Sequence, residues 1–153
     1  MEISYRSVDL NNSKEMAEIA ATDMTIPALF DSLFTVNEKT IVERLNQLMK
    51  FKPDDFFEAA INSNGKIIGY HALTQFETPH GLMAADVQTL WVDPEFRQKG
   101  IAKTLKARGE EWAKARGLHH ISTFVSAKNE KMRSLNEKNG FELVGYKMRK
   151  LIK

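Results

Sequence analysis

Apolar residues along this chain recur in two rhythms, one of period two and one near 3.6, and the two alternate in blocks. Ile3 to Val8 alternates apolar and polar positions and predicts a first strand. Asn12 and Ser13 carry side-chain oxygens suited to a helix start. A helix to about Ala21 follows, with Glu15 and Glu18 near its positive end. Pro27 suits the opening of a second, short helix through Ala28, Leu29, Phe30 and Leu33. Asn37 can cap a third, in which Ile41, Leu45, Leu48 and Met49 fall at helical spacing. Phe56 to Ile61 reads as a strand, Asn64–Gly65 as a two-residue hairpin turn, and Lys66 to Phe76 as the return strand. A looser turn surrounds Pro79, His80 and Gly81. Ala84 to Val92 then favours a strand, which Asp93–Pro94 stops.

The second half repeats the alternation. Gly100 to Arg116 predicts a helix with Ile101, Leu105, Gly109, Trp112 and Ala113 on one face, ended by Gly117. His120 to Val125 is short and apolar enough to predict a central strand. Asn129 to Asn139 predicts a helix ended by Gly140, and Phe141–Tyr146 and Lys147–Ile152 predict closing strands. Helices interleaved with strands imply one α/β layered domain with a mixed, mostly antiparallel sheet. The unit from Ala84 to Val125 predicts a parallel crossover. With 153 residues, no repeat and no Pro/Gly/Ser linker, a single domain over residues 1–153 is expected.

Composition removes several chemistries. The absence of cysteine excludes disulfides, a thiolate zinc site and a cysteine nucleophile. The four histidines do not pair with carboxylates at ligand spacing, so no metal site is expected. No stretch reaches the ~18–20 apolar residues of a membrane span. The opening MEISYRSVDL lacks the basic start and apolar run of a signal peptide. The expectation is a cytoplasmic protein with no membrane partner. Charge is divided unevenly: of 20 acidic side chains 15 lie in residues 1–95, and of 22 basic ones 15 lie in residues 96–153. That division suggests an anionic partner for the second half and a cationic one for the first, or simply unequal solvated helix faces.

The most informative stretch runs from Thr89 to Leu105. A strand enters a short turn bearing Arg97, Gln98, Lys99 and Gly100, and a helix begins at once with Ile101, Ala102 and Lys103. A helix start offers free N–H groups and a positive dipole end to a phosphate. Gly100 lets the backbone approach closely, and Arg97, Lys99 and Lys103 add charge at the rim. Neither a G-x-x-x-x-G-K-[ST] nor a G-x-G-x-x-G is present. On these grounds the turn is either a phosphate site or a helix that merely follows a basic turn.

Arg97-Gln-Lys-Gly100-Ile-Ala102 resembles the [Q/R]-x-x-G-x-[G/A] signature of the GCN5-related N-acetyltransferases (GNAT), and Leu90-Trp-Val-Asp-Pro-Glu-Phe96 resembles its lead-in. Val125-Ser-Ala-Lys-Asn129, Leu135 and Glu137-Lys-Asn-Gly-Phe141 resemble a second motif of that family, so the likeness covers about residues 84–146. The resemblance implies a parallel strand pair splayed apart at the middle of the sheet, with acetyl-CoA as co-substrate in the gap and no metal. It implies that the pantetheine arm pairs with backbone from Leu90 through Trp91 to Val92. The pyrophosphate would sit on the N–H groups from Gln98 to Ala102, beside Arg97, Lys99 and Lys103, and Asn129 would bond the arm while also serving as a helix cap.

Acyl transfer to an amine needs a neutral amine, a donor for the developing oxyanion, and a proton or charge for the leaving thiolate. Asp86 is the first candidate for the base, acting through water, and a structural strand carboxylate is the alternative. Gln88 cannot be a base but can orient a water or a substrate group. Alternation along the strand puts Asp86, Gln88 and Leu90 on one face. The resemblance assigns the oxyanion donor to the Leu90 N–H, freed by an irregularity in that strand. Many family members carry a tyrosine where this chain has Asn136, which has no titratable proton, so three readings stay open at this catalytic position: water protonates the thiolate, Asn136 only hydrogen-bonds the sulfur, or catalysis is weak or absent.

The first helices wall the acceptor pocket in this family, so Phe30, Asp31, Phe34 and Asp23 are candidates to meet a cationic substrate, with helix packing as the alternative. The expected activity is transfer of an acetyl group from acetyl-CoA to a primary amine of a small molecule or peptide. A domain that binds acyl-CoA without turnover is the alternative that Asn136 keeps open. The basic half lacks interleaved aromatics and any nucleic-acid motif, so no nucleic-acid partner is expected. Family members pair through C-terminal strands, which makes a homodimer the assembly to test.

Overall fold

The computed structural model describes residues 2–153. Its elements are β1 (Ser4–Ser7), α1 (Ser13–Asp23), α2 (Thr25–Phe30), α3 (Glu38–Leu48), β2 (Phe56–Ile61), β3 (Ile67–Glu77), β4 (Met83–Val92), α4 (Ile101–Ala115), β5 (Ile121–Ser122) and α5 (Glu130–Lys138). A 3-10 turn, Pro94–Phe96, links β4 to α4. The sheet runs β1-β2-β3-β4-β5, antiparallel throughout except for the parallel pair β4–β5. This is the expected mixed α/β architecture with helices on both faces.

The cores explain the layers. On one face Met16 and Ile19 of α1 and Leu48 of α3 pack on Phe57, Tyr70, Ala72 and Trp91. On the other, Ile101 and Leu105 of α4 pack on Ala60, Ile68, Leu90 and Val92, while Trp112 covers Phe56, Leu73, Ala85 and Val87. Burying each large aliphatic side chain contributes about 1.5–3 kcal/mol. The helix starts follow the sequence. Asn12 accepts the Glu15 N–H, and Asn37 and Thr40 form a reciprocal capping box.

Three readings change. The β2–β3 hairpin closes on Asn62 and Lys66, whose N–H and carbonyl meet at 3.0 Å, with Gly65 left-handed at φ 79°. That is a longer turn than the two residues Asn64–Gly65, because the left-handed glycine follows a tighter turn rather than forming half of one. The segment His120–Val125 forms a two-residue strand that is the outermost of the described strands, not a central one. The predicted closing strands Phe141–Tyr146 and Lys147–Ile152 do not form, and Val144, Tyr146 and Met148 are exposed. Alternation describes which residues suit a ladder. It does not supply an edge, and β5 offers only two residues of one.

Candidate active site

β4 holds the center of the site because it is irregular. Thr74 pairs with Asp86, Leu73 with Val87, Ala72 with Thr89 and His71 with Leu90, so Gln88 is an extra residue without a partner. Such a bulge shifts the alternation by one. Before it, Val87 faces α4. After it, Leu90 and Val92 face α4, while Trp91 packs toward α1 and α3. Leu90 therefore lies on the opposite face from Asp86 and Gln88, and simple alternation fails here.

Asp86 sits where the parallel pairing ends. Its pairing with Ser122 is the last between β4 and β5, and Val87 to Val92 have no strand on that side among the described residues. One Asp86 oxygen accepts the Ser122 hydroxyl at 2.8 Å and the other accepts the Gln88 amide at 3.2 Å. Gln88 also donates to Thr74 Oγ1 at 2.9 Å. The carboxylate, the amide and two hydroxyls thus form one half-buried polar cluster where the β4–β5 pairing ends.

Beyond β4 the chain passes through the 3-10 turn to the start of α4. Gly100 is its N-cap, left-handed at φ 80°, and no side chain caps the N–H groups that follow. Gln98 is also at positive φ, 63°. A Cβ added to Gly100 would meet nothing within 4 Å. Open space, uncapped amides and a positive dipole fit the diphosphate of a nucleotide thioester. Arg97 is held by its Nε–H on the Val92 carbonyl at 3.0 Å, and Lys99 lies over the Phe96 ring. Lys99, Gly100, Lys103, Thr104 and Arg108, together with Glu58 of β2 and Glu111, line a surface groove on the flank of α4 turned toward β2.

The other expected residues are dispersed. Asn129 caps α5 by accepting the Met132 N–H at 3.2 Å. Asn136 is the buried residue of α5, and its side-chain oxygen accepts from Lys106 Nζ of α4 at 3.3 Å. Phe30 and Phe34 are half-buried around the end of α2. Asp31 is paired with Arg149 at 3.0 Å, which holds its carboxyl below the usual carboxylate range, with help from the Leu33 N–H.

Asp23 lies deeper. It accepts from Arg44 Nε at 2.6 Å, from Tyr70 OH at 3.1 Å and from the Thr89 hydroxyl. Arg44 also donates to the Gln88 carbonyl at 3.2 Å, so this network grips the bulge itself. Two residues of this neighborhood escaped the sequence reading. Arg44 left no signal, because a polar residue on a helix reads as solvent-facing. Lys106 left a faint one, four residues after Ala102 and so on the same helical stripe.

Among the described residues no three His, Asp or Glu side chains gather closely enough to hold a metal ion, and no helix is long and apolar enough to cross a membrane. A match to the family described as "Acetyltransferase (GNAT) family" covers residues 15–141. Over 97 residues the chain is 30% identical to a mycothiol acetyltransferase of Thermobifida fusca, a match covering 61% of this chain and 30% of that protein. The chain covers between 28% and 50% of the lengths of the curated relatives it matches. A solved chain from Pyrococcus furiosus superposes with a TM-score of 0.78 at 24% identity, over 99% of this chain and 100% of that one. An aminoglycoside acetyltransferase from an uncultured soil metagenomic sample superposes with a TM-score of 0.72 at 18% identity, over 100% of both chains.

Proposed function

The chain belongs to the GNAT acetyltransferase family, and we propose that it transfers an acetyl group from acetyl-CoA to a primary amine by direct attack within a ternary complex. The single observation that carries this reading is the uncapped, left-handed start of α4 at Gly100, which follows the strand β4 whose residues beyond Asp86 have no partner on the β5 side. Amides of Gln98 to Ala102 bind the diphosphate, with Arg97, Lys99 and Lys103 beside it. Backbone groups from Leu90 through Trp91 to Val92 extend the sheet along the pantetheine arm, and Asn129 bonds the arm. Acetyl-CoA supplies the thioester.

The protein's own groups do the rest. Asp86, fixed by Ser122 and Gln88, takes the acceptor's proton through water. The Leu90 N–H, just past the bulge, donates to the developing oxyanion. Gln88, Phe30, Phe34 and Asp31 face the acceptor. A small cationic amine is the preferred acceptor class, since residues 1–95 carry the excess of acidic side chains. The aminoglycoside acetyltransferase among the structural neighbors supports that class, and a peptide amine is the second candidate.

A domain that holds acetyl-CoA without turning it over is the competing reading, favored by Asn136 where a tyrosine proton donor is usual. Calorimetry with coenzyme A and thiol release from acetyl-CoA across an amine panel separate the two. Binding with amine-dependent thiol release is expected. Binding without release from any amine supports the competing reading, and no binding overturns both. Asp86→Asn should lower kcat about a hundredfold with little change in coenzyme A affinity.

A further inference from the structure

Breaking the thioester leaves a thiolate that needs a proton or a stabilizing charge, and the chain's tyrosines are not placed to supply the proton. Tyr5 lies in β1, Tyr70 is buried with its hydroxyl on Asp23, and Tyr146 is exposed in the terminal segment. Asn136 has no proton to give. What touches Asn136 is Lys106, whose ammonium donates to the Asn136 side-chain oxygen at 3.3 Å.

The placement of Lys106 is specific. It lies one helical turn beyond Ala102 on the same stripe of α4, about 9 Å along the axis from Gly100. That stripe borders the core face formed by Ile101, Leu105 and Gly109 and is half-buried at Lys106. A chain laid from the Gly100 amides along the open edge of β4 therefore runs beside it. A surface lysine would hold its head in water. This one is turned inward between α4 and α5.

We propose that Lys106 is the proton donor to the leaving thiolate, with Asn136 holding its ammonium in place. This rests on the acetyl-transfer reading above. As the acceptor nitrogen bonds to the acyl carbon, the C–S bond breaks and its electron pair goes to sulfur. The Nζ–H bond of Lys106 breaks and an S–H bond forms. Water returns a proton to the neutral Lys106 amine, and the proton lost by the acceptor leaves through the water on Asp86. Charge and atoms balance without another reactant.

The environment of Lys106 suits the task. Burial lowers its pKa from the ordinary lysine value, and Glu110 of the same helix opposes that. His71 of β3 is the other titratable group near it and is kept neutral by burial. A lysine with a lowered pKa is a better matched acid for a thiolate.

The test uses the full chain and coenzyme A. The thiolate absorbance of bound coenzyme A is followed against pH in the wild type and in Lys106→Met. Wild type should release the thiol proton at a pH about one unit lower than the variant does, because Lys106 stabilizes the thiolate. The kcat of Lys106→Met should fall about tenfold to a hundredfold, with coenzyme A affinity held within about threefold. Lys106→Gln keeps a bond to Asn136 and should behave like Lys106→Met, which covers the case where methionine disturbs folding. Coincident thiol titrations in wild type and variants overturn the proposal even if kcat falls, since a merely structural lysine would not move the thiol. If the wild type takes up no coenzyme A, the acetyl-transfer reading itself fails and this assignment fails with it.

Discussion

His71 shows what one residue contributes when it is buried without charge. Its Nδ1–H donates to the Thr89 carbonyl at 3.0 Å, and its ring lies where a Cβ on Gly109 would touch it at 3.3 Å. Burial pushes its pKa down to about 4, against the lesser opposing effect of that hydrogen bond. The unfolded chain binds a proton below about pH 6.5 while the folded chain does not, so stability is full above that pH and falls as pH drops toward 4. The expected loss is about 2–3 kcal/mol over that interval. Urea unfolding at pH 7 and 4.5 should show it in the wild type and a flatter response in His71→Gln. Equal slopes would mean His71 is protonated in the folded protein. In the sequence His71 was only one histidine in a strand, and nothing local told its face from the other.

At the scale of elements, α4 and β4 behave differently. The α4 start was legible, because a glycine after a basic turn and before an amphipathic run has one common reading. The structure adds that Gly100 is left-handed with open space around it. Gly100→Val should therefore cost about 1–2 kcal/mol of stability from backbone strain. Its larger effect should be on coenzyme A, whose affinity is expected to fall at least about tenfold, roughly 1.4 kcal/mol. Calorimetry showing unchanged affinity would remove the helix start as the anchor. β4 was legible as a strand but not in its faces. The extra residue at Gln88 is fixed by a register in β3 and by Arg44 across forty-four positions of sequence, which a period-two pattern cannot see.

For the molecule as a whole, the buried ion pair between Asp23 and Arg44 joins layers that the sheet alone does not. Asp23 ends α1, Arg44 lies in α3, and their partners Tyr70 and Thr89 lie in β3 and β4. Removing one member of such a buried pair typically costs about 3–5 kcal/mol, because the other charge stays buried without a partner. Asp23→Ala is expected to lose that much in urea unfolding. Arg133→Ala, which breaks the exposed pair with Glu137, should change stability by less than about 1 kcal/mol. A loss of similar size in both would show that the Asp23 network is not what holds the helical layer to the sheet.

By itself the sequence determined the kind and order of the elements from β1 to α5, the caps at Asn12, Asn37 and Asn129, and the place where α4 starts after Gly100. Each of these is decided by residues within a few positions of one another, where side-chain periodicity and backbone preference act directly. Only the tertiary structure decided which way Leu90 faces, that Asp23 is a structural anchor rather than an open charge, that Lys106 meets Asn136, and that residues 141–152 add no strand. Those outcomes depend on register, on available edges and on charges meeting across long stretches of chain, and the local pattern carries no term for any of them.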